Sequence, residues 1–375
     1  MKYKLVATMA AGLEAVTARE LKDMGYQTQT ENGRVFFEGD ERDIVRTNVW
    51  LRTADRVKIV MAQFKALSFE DVFQNVKAIP WADYMPLDAE FPVAGRAVRS
   101  KLHSEPDVQA VTKKAIVESM AATYHRRSRL PETGNKYPLE ISIHNDMAMM
   151  TLDTTGDSLF KRGYRVAKGP APMKENFAAA LVMLTNWRPD MPFYDPTTGS
   201  GTIAIEAGLI GLNMAPGIRR DFAFTGFDFI PSELLDDVRT EANDLVKMQP
   251  LDILGGDINQ EMVEIANVNA KGAGVLHPVR FKQLAVKDFT TDEQRGVIVA
   301  NPPYGKRLND IDAARKVAAE MGTTYRKLPG WSKYILSGDL DFERFYGQKA
   351  TKRRKLYNGA MRTDLFQYWG RKLKN

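Results

Sequence analysis

Short apolar runs alternate along this chain with stretches whose apolar positions recur every three or four residues, the pattern of strands alternating with amphipathic helices. In the first 60 residues it predicts a strand over 5–9, then a helix through Leu13, Val16 and Leu21 that stops near Gly25. A strand over 34–38 closes at Gly39 and Asp40, and a helix over 43–50 follows. A second small α/β unit comes next. It holds a strand over 57–64, a helix over 69–79, a strand over 91–99 and a long helix over 107–129, with a hairpin of 139–144 and 147–152 turning on Asn145 and Asp146. Residues 160–172 interrupt the alternation with basic, aromatic and then Gly-Pro punctuation, as a domain boundary does. A helix over 174–187 then leads into a strand that ends at Asp195.

The second half is organised around residues 193–207, FYDPTTGSGTIAIEA, which read as a strand end, a glycine turn and an apolar helix. Gly199 and Gly201 permit the sharp turn and a close backbone approach to a ligand, and Ser200 and Thr202 are placed to cap the helix. In open α/β sheets, ligands bind at such strand ends. A phosphate loop would need Lys after the second glycine, and Thr202 stands there. Ala204 breaks the dinucleotide fingerprint G-x-G-x-x-G. A carboxylate before the turn repels phosphate but accepts a cation, and S-adenosylmethionine carries an ammonium and a sulfonium with no phosphate. Further on, the buried-strand run 297–300 ends in Asn301-Pro302-Pro303-Tyr304, where two prolines force the chain out of the sheet and stiffen the loop. Two carboxylates compete to hold the ribose hydroxyls. Asp228 lies nearer in sequence to Asp195 but precedes Ile230-Pro231, whereas Asp257 ends a strand followed by a clear helix over 261–271, as a βα unit requires.

Composition narrows the picture. With 375 residues and 44% apolar residues, two or three domains with sizeable cores are expected. There is no cysteine, so disulfides and thiolate metal sites are excluded, and the four histidines (103, 125, 144 and 277) are scattered. No signal peptide or membrane-length apolar run is evident, so a cytoplasmic protein with no membrane partner is expected. The net charge of +6 is compatible with a nucleic-acid partner. Two basic clusters are candidates for RNA backbone contact. One is Arg126, Arg127 and Arg129 at the end of the long helix, and the other is Lys352, Arg353, Arg354 and Lys355, read either as a solvated loop or helix face or as an RNA contact.

The NPPY tetrapeptide, about a hundred residues after the D-x-x-x-G-x-G turn, resembles the amino-group methyltransferases that use S-adenosylmethionine. Over the full length, the chain resembles the THUMP-domain 23S rRNA guanine-N2 methyltransferases, in particular the shorter bacterial members with one methyltransferase domain. The resemblance rests on residues 152–165 (LDTTGDSLFKRGYR), 171–180 (APMKENFAAA), 195–202 (DPTTGSGT) and 301–305 (NPPYG). It implies an α/β protein with an N-terminal ferredoxin-like region (1–60), a THUMP RNA-binding domain (61–155) and a Rossmann-like methyltransferase domain (160–375). It further implies S-adenosylmethionine bound by Asp195, Thr198, Gly199, Ser200, Gly201, Thr202, Asp257, Ile258, Asp288 and Asn301, with S-adenosylhomocysteine as product. Asp257 takes the ribose role and Asp288 the adenine amino group. Asn301, Pro302 and Tyr304 are the implied catalytic residues, and the implied partner is RNA, 23S rRNA or a large-subunit precursor. Thr198 departs from the pattern, since relatives usually carry Cys there.

The chemistry needs no metal, because a sulfonium is already activated. An exocyclic base amine is a poor nucleophile. The Asn301 side-chain oxygen and the Pro302 carbonyl can accept its N–H bonds, while Tyr304 stacks on a base that is flipped out or single-stranded. The same loop would serve adenine N6 in nucleic acid or a glutamine amide in a protein. A non-catalytic RNA-binding protein of the same fold is the remaining alternative, which the intact Asp195, Gly199, Gly201 and Asn301 oppose.

Overall fold

Helix caps written in the sequence set the boundaries of the N-terminal elements. Asp40 and Asp43 form a reciprocal capping box at the start of helix Glu41–Trp50, and Ser68 and Asp71 do the same for Phe69–Lys77. The long helix runs Glu105–Thr123, capped by Ser104 with Pro106 in its first turn, so it begins two residues before the position expected from Asp107. It also ends six residues short of Arg129, because His125 takes a left-handed conformation (φ 51°) that no α-helix can continue through. The Asn145-Asp146 hairpin is present, with positive φ at both residues (50° and 61°).

The computed structural model describes residues 1–126, 129–166, 172–303, 308–359 and 361–371. They fall into two bodies: residues 1–8, 18–159 and 220–240 in the first, and 9–17, 160–219 and 241–375 in the second. No described helix is long and apolar enough to cross a membrane.

The first body is built on one seven-stranded sheet, in the order Gln29–Glu31, Arg34–Gly39, Tyr3–Thr8, Arg56–Lys65, Met147–Asp153, Leu139–His144, Val93–Val98. Strand Arg56–Lys65 pairs antiparallel with Tyr3–Thr8 on one side and Met147–Asp153 on the other, so a single strand joins the two small α/β units expected from the sequence. A register shift between Val60 and Ala62 marks the change of partner environment. Segment 220–240 also belongs to this body. Its Phe227 stacks on Tyr137 at 4.7 Å between ring centroids, and Phe229 packs against Tyr3 and Tyr84.

The second body has a seven-stranded sheet ordered Val279–Gln283, Ile253–Asp257, Phe193–Asp195, Gly296–Ala300, Trp331–Ser337, Met361–Tyr368, Lys352–Asn358. The first five strands are parallel, Met361–Tyr368 runs antiparallel to them, and Lys352–Asn358 pairs antiparallel with Met361–Tyr368 at the edge. Gly296–Ala300 is buried throughout, which explains its unbroken apolar run. The strand order reverses between Phe193–Asp195 and Gly296–Ala300, so the topological switch point lies where Asp195 and Asn301 leave the sheet. Beneath it is an aromatic core in which Tyr194 stacks on Phe289 at 3.9 Å, with Tyr325, Trp331 and Phe366 around them.

The basic run 352–355 is neither loop nor helix face. It lies in the edge strand Lys352–Asn358, paired with Met361–Tyr368. The alternation that would have marked a strand is hidden because Arg353 and Arg354 are both used structurally. Arg353 bridges Glu343 and Asp364 (3.4 and 2.7 Å) above the ring of Phe366, and Arg354 donates to the Gly12 carbonyl (2.9 Å). Loop 9–13 thus lies against this edge, and a Cβ on Gly12 would meet the Lys355 carbonyl at 3.0 Å. Lysines and a covering loop are two ways proteins keep an edge strand from pairing with another chain.

Candidate active site

Asp195 ends a three-residue strand in full burial. The Thr197 N–H approaches its Oδ1 at 3.4 Å, and Oδ2 has no hydrogen-bond partner among the described residues. Burial pushes the carboxyl up from its ordinary 3.8 to about 7, and the nearby charge of Asp257 pushes the same way. The Thr198 hydroxyl softens the shift without making a well-formed hydrogen bond. A buried carboxylate with an unused oxygen is costly unless a cation completes it.

The turn itself is fixed by its backbone. Thr198 N–H donates to the Gly256 carbonyl (2.9 Å) and Gly201 N–H to the Thr198 carbonyl (2.8 Å). Gly201, at φ 87°, is the N-cap of helix Thr202–Gly211, and a Cβ there would meet Ala266 and Phe281 at 3.0 Å. Gly199 (φ 50°) instead faces open space. No side chain caps the helix among the described residues, so the expected capping by Ser200 and Thr202 does not occur. Both hydroxyls are engaged by Arg165 instead, and the cap position falls on a residue with no side chain.

Asp257 lies at the end of the neighbouring strand. Its Oδ2 accepts from Gly199 N–H (2.9 Å) and its Oδ1 from Asn259 N–H (3.0 Å). Each oxygen keeps a lone pair for a ribose hydroxyl. Asp228 is in the other body, where its backbone N–H donates to the Tyr137 hydroxyl (3.2 Å). Ile258 is 71% exposed, an aliphatic surface beside a carboxylate of the kind that packs on an adenine ring. Asp288 is exposed at the end of the short turn Val286–Asp288, after the strand Val279–Gln283, and Leu284 N–H donates to the Asp257 carbonyl (2.8 Å). The three strand ends that carry Asp195, Asp257 and Asp288 are therefore adjacent in the sheet.

Asn301 follows the strand in which Ile298 pairs with Tyr194, so the chain leaves the sheet beside Asp195. Asn301 is half-buried, Pro302 buried and Pro303 exposed. Tyr304 lies outside the described residues, as does Arg127. Arg126 and Arg129 are exposed past the end of helix Glu105–Thr123. Of the second basic cluster, Lys352 and Lys355 project from the edge strand, while Arg353 and Arg354 hold the internal contacts given above.

This donor set suits S-adenosylmethionine. It offers a buried carboxylate with one oxygen unpartnered among the described residues, an open glycine flank, a bidentate-capable carboxylate one strand over and an exposed aliphatic side chain beside it. The match to known families decides the assignment. The RMKL-like methyltransferase-domain model matches residues 162–367, the RlmL ferredoxin-like domain residues 4–58 and the THUMP domain residues 66–153. The chain belongs to the RMKL-like methyltransferase family. Its relatives include "Putative RNA methyltransferase YpsC" of Bacillus subtilis, 50% identical over 99% of this chain and 97% of that protein. The ribosomal RNA large subunit methyltransferase K/L of Syntrophotalea carbinolica is 32% identical over 97% of this chain but only 53% of its own length. Among solved structures, "SMU.472, a putative methyltransferase complexed with SAH" superposes with a TM-score of 0.95 at 49% identity, over 100% of this chain and 99% of that one. A Listeria monocytogenes protein named "predicted N6-adenine-specific DNA methylase" superposes with a TM-score of 0.95 at 53% identity, over 99% of this chain and 97% of that one.

Several residues of the site escape a reading of the sequence. Arg165 and Glu175 (3.0 Å apart) sit against the glycine turn, and the buried Asn269 donates to the Ser200 carbonyl (3.1 Å). Arg165 lies inside the basic segment 160–165, which the sequence marks only as a domain boundary and as part of the family resemblance. Asn269, on an otherwise ordinary helix, leaves no signal except a polar residue at a core-facing spacing.

Proposed function

We propose that this protein is an RNA methyltransferase that transfers a methyl group from S-adenosylmethionine to N2 of a guanine, with 23S rRNA or a large-subunit precursor as substrate. The observation that carries the reading is the placement of Asn301-Pro302-Pro303 beside Asp195 at the switch point of the second sheet. The THUMP domain and the names of the YpsC and K/L relatives support RNA as the substrate class.

The cofactor supplies a methyl group on a positively charged sulfur, ready for in-line displacement. The protein's work is to position. Asp195, ionised once a cation is near, receives the ammonium, and Asp257 receives the ribose hydroxyls while holding Gly199 in place. The guanine amine has its lone pair drawn into the ring. Asn301, through its side-chain oxygen, and the Pro302 carbonyl accept the two N–H bonds and aim the remaining electron density at the methyl carbon. The two prolines keep these acceptors rigid, so little ordering is needed at the moment of reaction. As the N–C bond forms, the C–S bond breaks, and the amine proton passes to solvent. Tyr304 follows directly and stacks on the extruded base in this reading.

The Listeria structure's name favours a second reading, adenine N6, which uses the same acceptors on the same kind of amine. Nucleoside analysis of rRNA from a deletion strain separates the two. Loss of N2-methylguanosine at one position supports the first reading, and loss of N6-methyladenosine the second.

A further inference from the structure

One cation is built into the glycine turn and has no part in the chemistry above. Residues 162–166 run past the start of helix Thr202–Gly211 and are stitched to it. The Tyr164 hydroxyl donates to Glu206 (3.1 Å), Arg162 lies 3.5 Å from the same carboxylate, and Val166 N–H donates to Asn269 (3.1 Å). Asn269 in turn donates to the Ser200 carbonyl (3.1 Å). Arg165 is held at the centre of these contacts. Its Nε donates to Glu175 (3.0 Å) and its Nη2 to the Met173 carbonyl (2.9 Å), which fixes the plane of the guanidinium. Its other contacts are longer and go to neutral hydroxyls, Ser200 Oγ at 3.4 Å and Thr202 Oγ1 at 3.3 Å, on either side of Gly201.

A strut alone would not need this arrangement. Two of the guanidinium's contacts go to weak acceptors at the upper limit of hydrogen-bond length, and the side chain keeps 12% of its surface exposed. The turn it flanks carries a left-handed glycine open to space on one side and an uncapped helix start on the other. Asp195, with a buried oxygen that has no partner among the described residues, stands before the same turn. One end of the turn therefore presents a fixed cation and the other a carboxylate. An α-amino acid is the ligand chemistry complementary to that pair, and the cofactor carries one in its methionine moiety.

We propose that Arg165 receives the α-carboxylate of the cofactor's methionine moiety, so that the glycine turn reads the zwitterion with one charge at each end. Glu175 keeps the guanidinium in place before the ligand arrives, and Ser200 and Thr202 hand over their long contacts to a charged acceptor, which makes the stronger bond. The proposal rests on the cofactor reading and is independent of which base is methylated.

The test is calorimetric binding of S-adenosylhomocysteine and of its decarboxylated analogue to the wild-type protein, Arg165→Lys and Arg165→Gln, with thermal unfolding of each. Wild type should bind the decarboxylated analogue about 10–100-fold more weakly, the range of a charge-assisted hydrogen bond. Arg165→Gln should lose that much affinity for S-adenosylhomocysteine and bind the two ligands within about threefold of each other, with Arg165→Lys between. If Arg165→Gln weakens both ligands equally and keeps the full discrimination, Arg165 is only a strut and the proposal fails. It fails too if wild type binds the two ligands alike, a result that needs no variant to fold. Absence of S-adenosylhomocysteine binding by wild type would instead bring down the cofactor reading itself.

Discussion

Replacing Asp195 by Asn should stabilise the protein while removing its ability to bind cofactor. The unfolded chain releases the Asp195 proton near 3.8, whereas the folded, cofactor-free protein releases it near 7. The folded pKa is raised, so the stability associated with this carboxyl is fully present below pH 3.8. It falls by about 1.4 kcal/mol per pH unit as pH rises toward 7 and is then constant. Across the interval between the two values, roughly three pH units, the loss reaches about 4 kcal/mol and stands at that level at pH 8. Asn carries no charge to desolvate and keeps Oδ1 for the Thr197 N–H, but buries an NH2 group at a cost of about 1 kcal/mol. A net gain of about 3 kcal/mol remains, which at 2–4 °C per kcal/mol is a rise of roughly 6–12 °C in the unfolding temperature of the second body. Differential scanning calorimetry of wild type and Asp195→Asn from pH 5 to 8.5 measures it. The advantage of Asn should grow up to about pH 7 and then level off, and S-adenosylhomocysteine should no longer shift the variant's transition. A variant less stable than wild type at pH 8, or an advantage that does not change with pH, would show that the buried Asp195 carboxylate carries no such penalty.

In wild type, cofactor affinity should fall about tenfold per pH unit below 7, because binding then requires Asp195 to lose a proton; titration calorimetry in buffers of different ionisation enthalpy should show that release. Asp257→Asn leaves a single amide oxygen to serve Gly199 N–H, Asn259 N–H and the ribose, and should weaken S-adenosylhomocysteine binding by about 1.5–3 kcal/mol in the same titration. Asn301→Ala should leave that affinity within about threefold of wild type and lower single-turnover methylation by about 10²-fold or more, since its contacts act on the transition state. Gln at both Lys352 and Lys355 should flatten the salt dependence of RNA binding by about 1.5 in slope with no change in melting. Arg353→Gln should lower the melting temperature, because it removes the 2.7 Å partner of Asp364, whose side chain is 5% exposed, and leaves it the longer contact to Arg362 at 3.6 Å.

The parts of this protein that were legible in its sequence are those where local chemistry and tertiary role agree. Asn145-Asp146 could hardly be anything but a tight hairpin turn. The run 297–300 followed by two prolines announces a buried strand that must leave the sheet, and the turn at Gly199 and Gly201 announces a ligand-facing corner. What escaped depends on partners distant in sequence. Arg353 and Arg354 look like free surface charge until Asp364 and the Gly12 carbonyl are brought to them. The end of the long helix is set by one left-handed residue, His125, in a stretch whose composition favours helix throughout. Ser200 and Thr202 have the right chemistry for a cap, but the backbone puts Gly201 in the capping position and Arg165 claims both hydroxyls. The continuous sheet of the first body was likewise hidden, because strand Arg56–Lys65 gives no sign that it serves two neighbours at once.

Methyl transfer to a guanine amine through the Asn301 loop is tested most directly by incubating the wild-type protein with methyl-labelled S-adenosylmethionine and rRNA from a deletion strain, followed by oligonucleotide mapping and mass spectrometry of the labelled nucleosides. Label is expected in N2-methylguanosine at a single position of 23S rRNA, with almost none when Asn301→Ala replaces the wild type. Label in N6-methyladenosine, label in protein, or undiminished transfer by the variant would contradict it.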